Sequence, residues 1–411
     1  MGISVPPTSP WEPSVAKQGS PTSYFRENLR NDTFYITSWA NAGLTNEFLS
    51  YIHLIYLGYI SNRVPIVPPF VPDEHIPWTA GSLQFGSVFN LTRVRSHLRL
   101  PVLDWSDVKT LPSLSSPEHS YLNPNVEAIG CWSTRVRTEP NPINAQNTER
   151  LLGLDVSYTR VPQFTRLYPH DAGDSNVVFH GLSATITPNH PFESPETYPL
   201  MSASPSGSRL APDEHLSCYD FLYYATSGVS DLEWRFRWSP SWRQVGTHLH
   251  FTDDLVALAR EYVRRAFGHP PNQPLPPLIT VHIRRGDFVN QCWDGRPCLI
   301  ETEKFAQAVA AIQQELSDYK GIDVSHVLVS SDETDPEFWK NMTAYGWNFI
   351  DHSKEMTSVR FGDWYPPLID QVALTFGAGF VGTDRSTFSA LAGWRTEDWN
   401  DGISRLVTRE D

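Results

Sequence analysis

The sequence predicts an α/β protein with two domains built on parallel sheets and a cleft between them. Three observations carry this. The 411 residues exceed what one hydrophobic core usually organises. A strand, a glycine-bearing turn, a helix and a second strand succeed one another near the start. From residue 278 onward, short apolar strands alternate with amphipathic helices almost to the end.

Residues 1 to 21 carry Pro6, Pro7, Pro10, Pro13 and Pro21 among small polar residues, so they read as a stem or linker. The first domain is expected over 22–274. It opens with the β-rich Thr33–Thr37. The apolar spacing of Phe48, Leu49, Ile52, Ile55, Tyr56, Tyr59 and Ile60 then predicts a helix over Asn46–Ser61, and a strand follows over Pro65–Pro68. From about Val102 to Pro240 the chain is rich in Pro, Ser and Asn, and apart from pieces such as Asn176–Phe179 no element stands out. Thr252–Phe267 is a helix opened by Asp253 and Asp254. The proline-rich loop Gly268–Pro277 marks the boundary, and the second domain is expected over 275–411.

There the expected order is a strand at Leu278–Ile283, a helix at Glu301–Leu316, a strand at His326–Ser330 and a helix at Asp335–Tyr345 capped by Asp335 and Pro336. A strand at Trp347–Ile350, a helix at Pro367–Phe376, a strand at Gly379–Gly382 and a helix at Ser386–Trp394 complete it. That is a doubly wound parallel sheet, and such sheets bind ligands outside the carboxyl ends of their strands.

Composition narrows the partners. Hydrophobic residues at 40% and aromatics at 12% fit a folded globular chain. A formal net charge of -14, with no run of Lys and Arg, repels nucleic-acid phosphate. No stretch approaches the roughly 20 apolar residues of a membrane helix, and the residues after Met1 lack a signal peptide's pattern. A signal or membrane anchor is expected to have been trimmed. Asn31-Asp-Thr33, Asn90-Leu-Thr92 and Asn341-Met-Thr343 are acceptor sequons that point to a secretory lumen. Of the three pairings open to Cys131, Cys218, Cys292 and Cys298, the preferred one joins Cys292 to Cys298 and Cys131 to Cys218; the alternative is four buried free thiols. No cysteine pair has a matching Cys or His pair at zinc-ligand spacing.

Three strand ends carry chemistry. The strand ending at Ile283 delivers Arg284, Arg285 and Asp287 together. A guanidinium fork suits a diphosphate, because it donates parallel charged hydrogen bonds. Two adjacent arginines point to opposite faces, one to the cleft and one to an acid such as Asp287; the competing reading is a purely structural ion-pair network. Gly382–Ser389 joins a strand to a helix whose start offers backbone amides beside Ser386 and Thr387, an anion site or an ordinary cap by Ser386. Asp332, after the middle strand, is either an acceptor for a nucleobase or ribose or a helix cap. Its acidic neighbours allow a divalent-metal reading, but no second acidic cluster completes a coordination shell.

Taken together, the residues resemble the fucosyltransferase superfamily, most closely the protein O-fucosyltransferases. Gly43-Leu-Thr-Asn46 through Asn62-Arg63 to Pro68-Pro69 is similar to the family's first motif. His282-Ile-Arg284, with the cysteine loop Cys292–Cys298 nearby, is similar to its His-x-Arg motif, and Ser331-Asp332 to its Thr-Asp motif. Phe380-Val-Gly-Thr-Asp-Arg-Ser-Thr-Phe-Ser389 resembles its last signature. The resemblance covers residues 35 to 70 and 240 to 400. It implies a GT-B fold of two Rossmann-like domains facing a central cleft, and an inverting transfer from GDP-fucose with no metal and no other cofactor. It also implies that Arg284 contacts the donor β-phosphate and leaving oxygen. Gly43, Asn46, His282 and Arg285 line the donor site, Asp332 holds the guanosine, and Ser386, Thr387 and Phe388 hold the diphosphate end.

One departure concerns the general base. Some relatives carry a Glu in the first glycine turn, where this chain has Ala42, Gly43 and Leu44. Asp287 and Glu47 are the candidates, and a leaving diphosphate taking the proton is the third route. The expected partners are a GDP-sugar and a protein or glycan acceptor in the ER or Golgi lumen, with a membrane only through the trimmed anchor. A glycan-directed α1,6- or α1,2-type enzyme and a catalytically inactive sugar- or nucleotide-binding protein are the alternative readings.

Overall fold

The structure, a computed structural model, describes residues 10–40, 42–73, 75–111, 125–136, 142, 145–187, 200–271, 273–290 and 299–409. The chain divides into two compact units, Met1–His250 and Phe251–Asp411.

The first unit holds β1 (Tyr35–Ser38), β2 (Val64–Val67), β3 (Leu103–Asp104), β4 (Glu127–Ser133), β5 (Leu154–Arg160), β6 (Val177–Val178), β7 (Leu200–Ser202), β8 (Leu216–Tyr219) and β9 (Ala225–Thr226). Seven of them form one sheet in the order β3-β2-β1-β8-β4-β5-β7, parallel except where β7 runs against β5. β6 and β9 pair separately. The expected β-α-β unit is β1, the helix Leu44–Ser61 and β2. That helix buries residues almost all round, Phe48, Tyr51, Ile52, Leu54 and Ile55 among them, as a helix enclosed by its unit must. Asn62 ends it in the left-handed conformation, φ 53°. Arg63, also from the first motif, is a structural bolt. It is buried and donates to the carbonyls of Tyr35 at 3.0 Å, Ile186 at 2.7 Å and Glu214 at 2.8 Å.

The stretch that showed no pattern supplies β4, β5, β7 and β8. β4 and β5 are buried on nearly every residue, so they lack the alternation that marks a half-exposed strand. Asn176–Phe179 is split: β6 ends at Val178 and Phe179 begins a helix to Ile186. Cys131 on β4 and Cys218 on β8 form the expected disulfide across neighbouring strands, with Cα atoms 4.8 Å apart. Cys292 and Cys298 lie outside the described residues.

Two expected boundaries move. The stem ends earlier, because Pro13–Ala16 is a 3-10 helix whose Ala16 joins the core, and Lys17 and Gln18 donate to the carbonyls of Asp107 and Leu29. Proline fixed the backbone there without excluding it from packing. The helix Asp253–Phe267, assigned from sequence to the first domain, belongs to the second unit. Its Val263 packs with Leu278, Leu328 and Ala373, and its Tyr262 hydroxyl accepts from Thr357 at 3.1 Å.

The second unit holds β10 (Leu278–Ile283), β11 (His326–Ser331), β12 (Asn348–Phe349), β13 (Gly379–Thr383) and β14 (Ile403–Val407) in the all-parallel order β12-β11-β10-β13-β14. β14, absent from the expected order, adds an edge. Ile279, Val281 and Ile283 face Phe305, Val309 and Ile312 of the helix Thr302–Lys320. The alternate residue Leu278 packs on the opposite face. Helices therefore cover both faces, the condition for a parallel sheet.

Candidate functional site

Alternation along β10 puts His282 on the face opposite Ile283, directed to the start of the helix Thr387–Asn400. Its Nδ1 lies 2.7 Å from Ser389 Oγ, and its ring packs against Phe388 with centroids 4.7 Å apart and planes tilted by 34°. Burial, helped by the Arg284 charge, pulls its pKa down to about 3, so the ring is neutral. Ser389 Oγ also accepts the Thr383 N–H at 3.0 Å, while Thr383 Oγ1 accepts the Arg284 N–H at 2.8 Å and donates to the His282 carbonyl at 3.2 Å. The ends of β10 and β13 and the helix start are thereby one hydrogen-bonded unit. Thr383 and Ser389 were not among the expected site residues, although both stand in the quoted signature.

The two arginines separate as the alternation requires. The Arg284 guanidinium pairs with both Asp332 and Asp287 and lies 5.4 Å over the Phe288 ring. Arg285 pairs with Glu333 at 2.6 Å and lies over Phe338 at 5.2 Å, on the helix-covered face. Asp287 therefore partners Arg284, whereas the sequence reading gave it to Arg285. Asp332 is not a helix cap, since Asp335 caps Pro336–Ala344 by accepting from Glu337 N. Its other oxygen accepts the Arg285 N–H at 2.7 Å. Gly286, at φ 20°, is required here, because a Cβ would collide with the Asp332 carboxylate.

Ser386 is buried and caps the helix Thr387–Asn400, its Oγ accepting from Ser389 N at 3.3 Å. The ordinary cap reading is thus correct for its side chain. Thr387 and Phe388 form the first turn beside His282, and the Phe388 carbonyl accepts from Gln371 at 2.9 Å.

Past the carboxyl ends of β11 and β12 lies a groove of about 800 Å³, walled by Trp339, Phe349 and Ile350. At its floor Asp370 accepts from Ser330 at 2.6 Å and meets His352 Nε2 at 2.9 Å. Burial would lower the His352 pKa, but Asp370 more than offsets it and the net shift is upward. Neither residue stood out in the sequence.

In the first unit, Gly43 precedes the helix Leu44–Ser61 and Asn46 lies in its first turn. A Cβ at Gly43 would meet nothing nearer than His75 Cδ2 at 3.8 Å, and φ is an ordinary -60°. Neither packing nor backbone therefore demands glycine there. Glu47 faces inward and is fully buried, with Oε2 accepting from Val71 N at 3.2 Å. Burial raises its pKa well above the usual carboxylate range, and Asp73 adds to this. Glu47 Oε1 is buried with no hydrogen-bond partner among the described residues, so the carboxyl group lies sealed inside the unit. Among the described residues, no group of three or more His, Cys, Asp or Glu is arranged to hold a metal ion.

The fold is matched by crystal structures of POFUT1. One in complex with GDP-fucose is 11% identical over 92% of this chain and 98% of that chain, with a TM-score of 0.54. Another, in complex with GDP, is 12% identical over the same shares, with a TM-score of 0.53. At such identity the likeness is one of fold, α/β of the GT-B type. No curated protein sequence matches the chain. Residues 35–397 match the family described as GDP-fucose protein O-fucosyltransferase, O-FucT. This chain belongs to that family and is a glycosyltransferase, a fucosyltransferase.

Proposed function

We propose that the enzyme transfers fucose from GDP-fucose to a Ser or Thr hydroxyl of a secretory-pathway protein, with inversion at the sugar carbon and without a metal ion. The observation that carries this reading is the position of Arg284, at the end of the central strand beside a neutral imidazole and the start of a helix. As the bond from C1 to the phosphate oxygen breaks, negative charge grows on the leaving diphosphate. A guanidinium and the amide-rich helix start are suited to offset it. His282, neutral and held through Nδ1, orients a second donor toward the same charge. Ser386, Thr387 and Phe388 supply the helix start.

The groove beside Asp370 fits a purine ring in size and in its aromatic walls. Asp332, whose oxygens are engaged by the arginine loop, serves in this reading to hold Arg284 and Arg285. The open space at Gly43 is consistent with close approach of a ligand to that backbone. The disulfide between Cys131 and Cys218 and the exposed sequon residues Asn31, Asn90 and Asn341 support maturation in an oxidising lumen.

The test is GDP binding and GDP-fucose turnover in EDTA, for the wild type and Arg284→Ala. Binding and turnover that persist in EDTA, with turnover reduced about 100-fold by the substitution in a folded protein, support the reading. Full activity of Arg284→Ala, or a strict need for a divalent cation, overturns it.

A further inference from the structure

If the chain transfers fucose as proposed above, some group must take the acceptor's proton, and both carboxylates named for this from the sequence are otherwise engaged. Glu47 is sealed in the first unit, and Asp287 is paired with Arg284. We propose that Glu149 takes that proton.

Glu149 lies in the first turn of the helix Gln146–Leu152, which follows the carboxyl end of β4. Its neighbour Thr148 donates to the Ala40 carbonyl at 3.3 Å, where β1 runs into the glycine turn of the first motif. The carboxyl group is therefore carried on an element fastened to that turn, at the carboxyl-end side of the sheet. Strand order reverses around β1 and β8, and such reversals are where parallel sheets bind ligands. The side chain is more than nine-tenths buried. The Tyr158 hydroxyl donates to Oε1, and among the described residues the Glu149 carboxyl group makes no further hydrogen bond. Glu149 keeps 8% of its surface exposed where Glu47 keeps none, and its Oε2, unlike Glu47 Oε1, is not sealed without a partner, so it can meet a reacting proton.

Electrostatics agree with this geometry. Burial raises the Glu149 pKa to about 7, the Tyr158 hydrogen bond on β5 opposes the rise, Asp220 after β8 and Asp155 on β5 add to it, and Arg150 on its own helix opposes it. A base that titrates near the working pH accepts protons most effectively. In the step, the acceptor oxygen forms its bond to C1 as its proton passes to Oε2. The bond from C1 to the β-phosphate oxygen breaks, and its electron pair leaves with GDP. Glu149, now protonated, returns the proton to water.

The test uses the full chain, with release of GDP from GDP-fucose followed from about pH 5 to 9 with water as the acceptor. GDP affinity, measured by calorimetry, is the control. Glu149→Gln should lower turnover roughly 10²- to 10⁴-fold with GDP affinity unchanged, and should abolish the acid limb of the profile near pH 7. Tyr158→Phe removes the bond that holds the pKa down, so its acid limb should move to higher pH; it decides the matter alone if Glu149→Gln does not fold. Wild-type turnover in Glu149→Gln, an unmoved limb in Tyr158→Phe, or a wild-type chain that binds GDP and never turns the donor over would each overturn the assignment. A wild type that binds no GDP sinks the nucleotide-sugar reading first, and this inference with it.

Discussion

Ser389 Oγ lies 2.7 Å from His282 Nδ1 while accepting the N–H of Thr383. The serine oxygen has a second acceptor position and one proton, so either it or Nδ1 supplies the hydrogen they share, and the bond fixes the orientation of the ring. A serine one turn into a helix thus orients a histidine on the neighbouring strand.

The same imidazole makes stability depend on pH in a known direction. His282 titrates at about 3 when folded and at the ordinary 6.5 when unfolded. Between these values the unfolded chain binds more protons, so stability rises with pH and its full contribution is present above 6.5. Chemical denaturation of His282→Gln should show a stability slope between these pH values shallower by about 1 kcal/mol per unit than the wild type's. An unchanged slope would remove the histidine from the account.

The adjacent arginines should fail differently. Arg285→Ala loses an ion pair to Glu333 and packing on Phe338, so about 1 kcal/mol of stability should go with GDP affinity retained. Arg284→Ala gives up pairs to both Asp287 and Asp332, so it should cost at least as much stability and lose turnover besides. Thermal shift with and without GDP separates the two.

Glycines 43 and 286 give an opposite pair. Gly286→Ala forces a Cβ onto Asp332 at a positive φ and should cost about 1–3 kcal/mol. Gly43→Ala has room and ordinary backbone angles, so stability should hold or rise by up to about 1 kcal/mol. If the open space there serves the ligand, GDP-fucose binding should weaken nonetheless. Denaturation midpoints beside binding isotherms read both.

Replacing Cys131 and Cys218 together by Ser unties two strands that are 87 residues apart in sequence. The loss should be about 2–5 kcal/mol, confined to the first unit's transition, while the second unit keeps its own. Calorimetry of the double variant checks this.

The second unit was the more legible in the sequence, because β10 and β11 are continuous apolar runs between clear helical patterns and their ends carry the charged residues. β14 was missed: Ser404 and Arg405 break its apolar run, and only its pairing with β13 makes it a strand. In the first unit, β4 and β8 draw their strand character from partners distant in sequence. Sequence reading placed His282, Arg284 and the Ser386–Phe388 turn together at strand ends, because residue type and position coincide there. It could not single out Asp370, His352 or Glu149, whose environments arise from burial and from neighbours on other elements. The burial of Glu47 was equally hidden, since a helical pattern that is apolar nearly all round gives no outward face to read.

Arg284 rests between Asp332 and Asp287, a cation already matched before any ligand arrives. Chloride or a single phosphate brings too little charge to compete with two tethered acids. If Arg284 meets the donor diphosphate as proposed, an anion that also anchors itself by a base or a sugar is the better able to displace them. Small anions should therefore compete poorly for this guanidinium, and selectivity should begin with the strength of that internal rivalry.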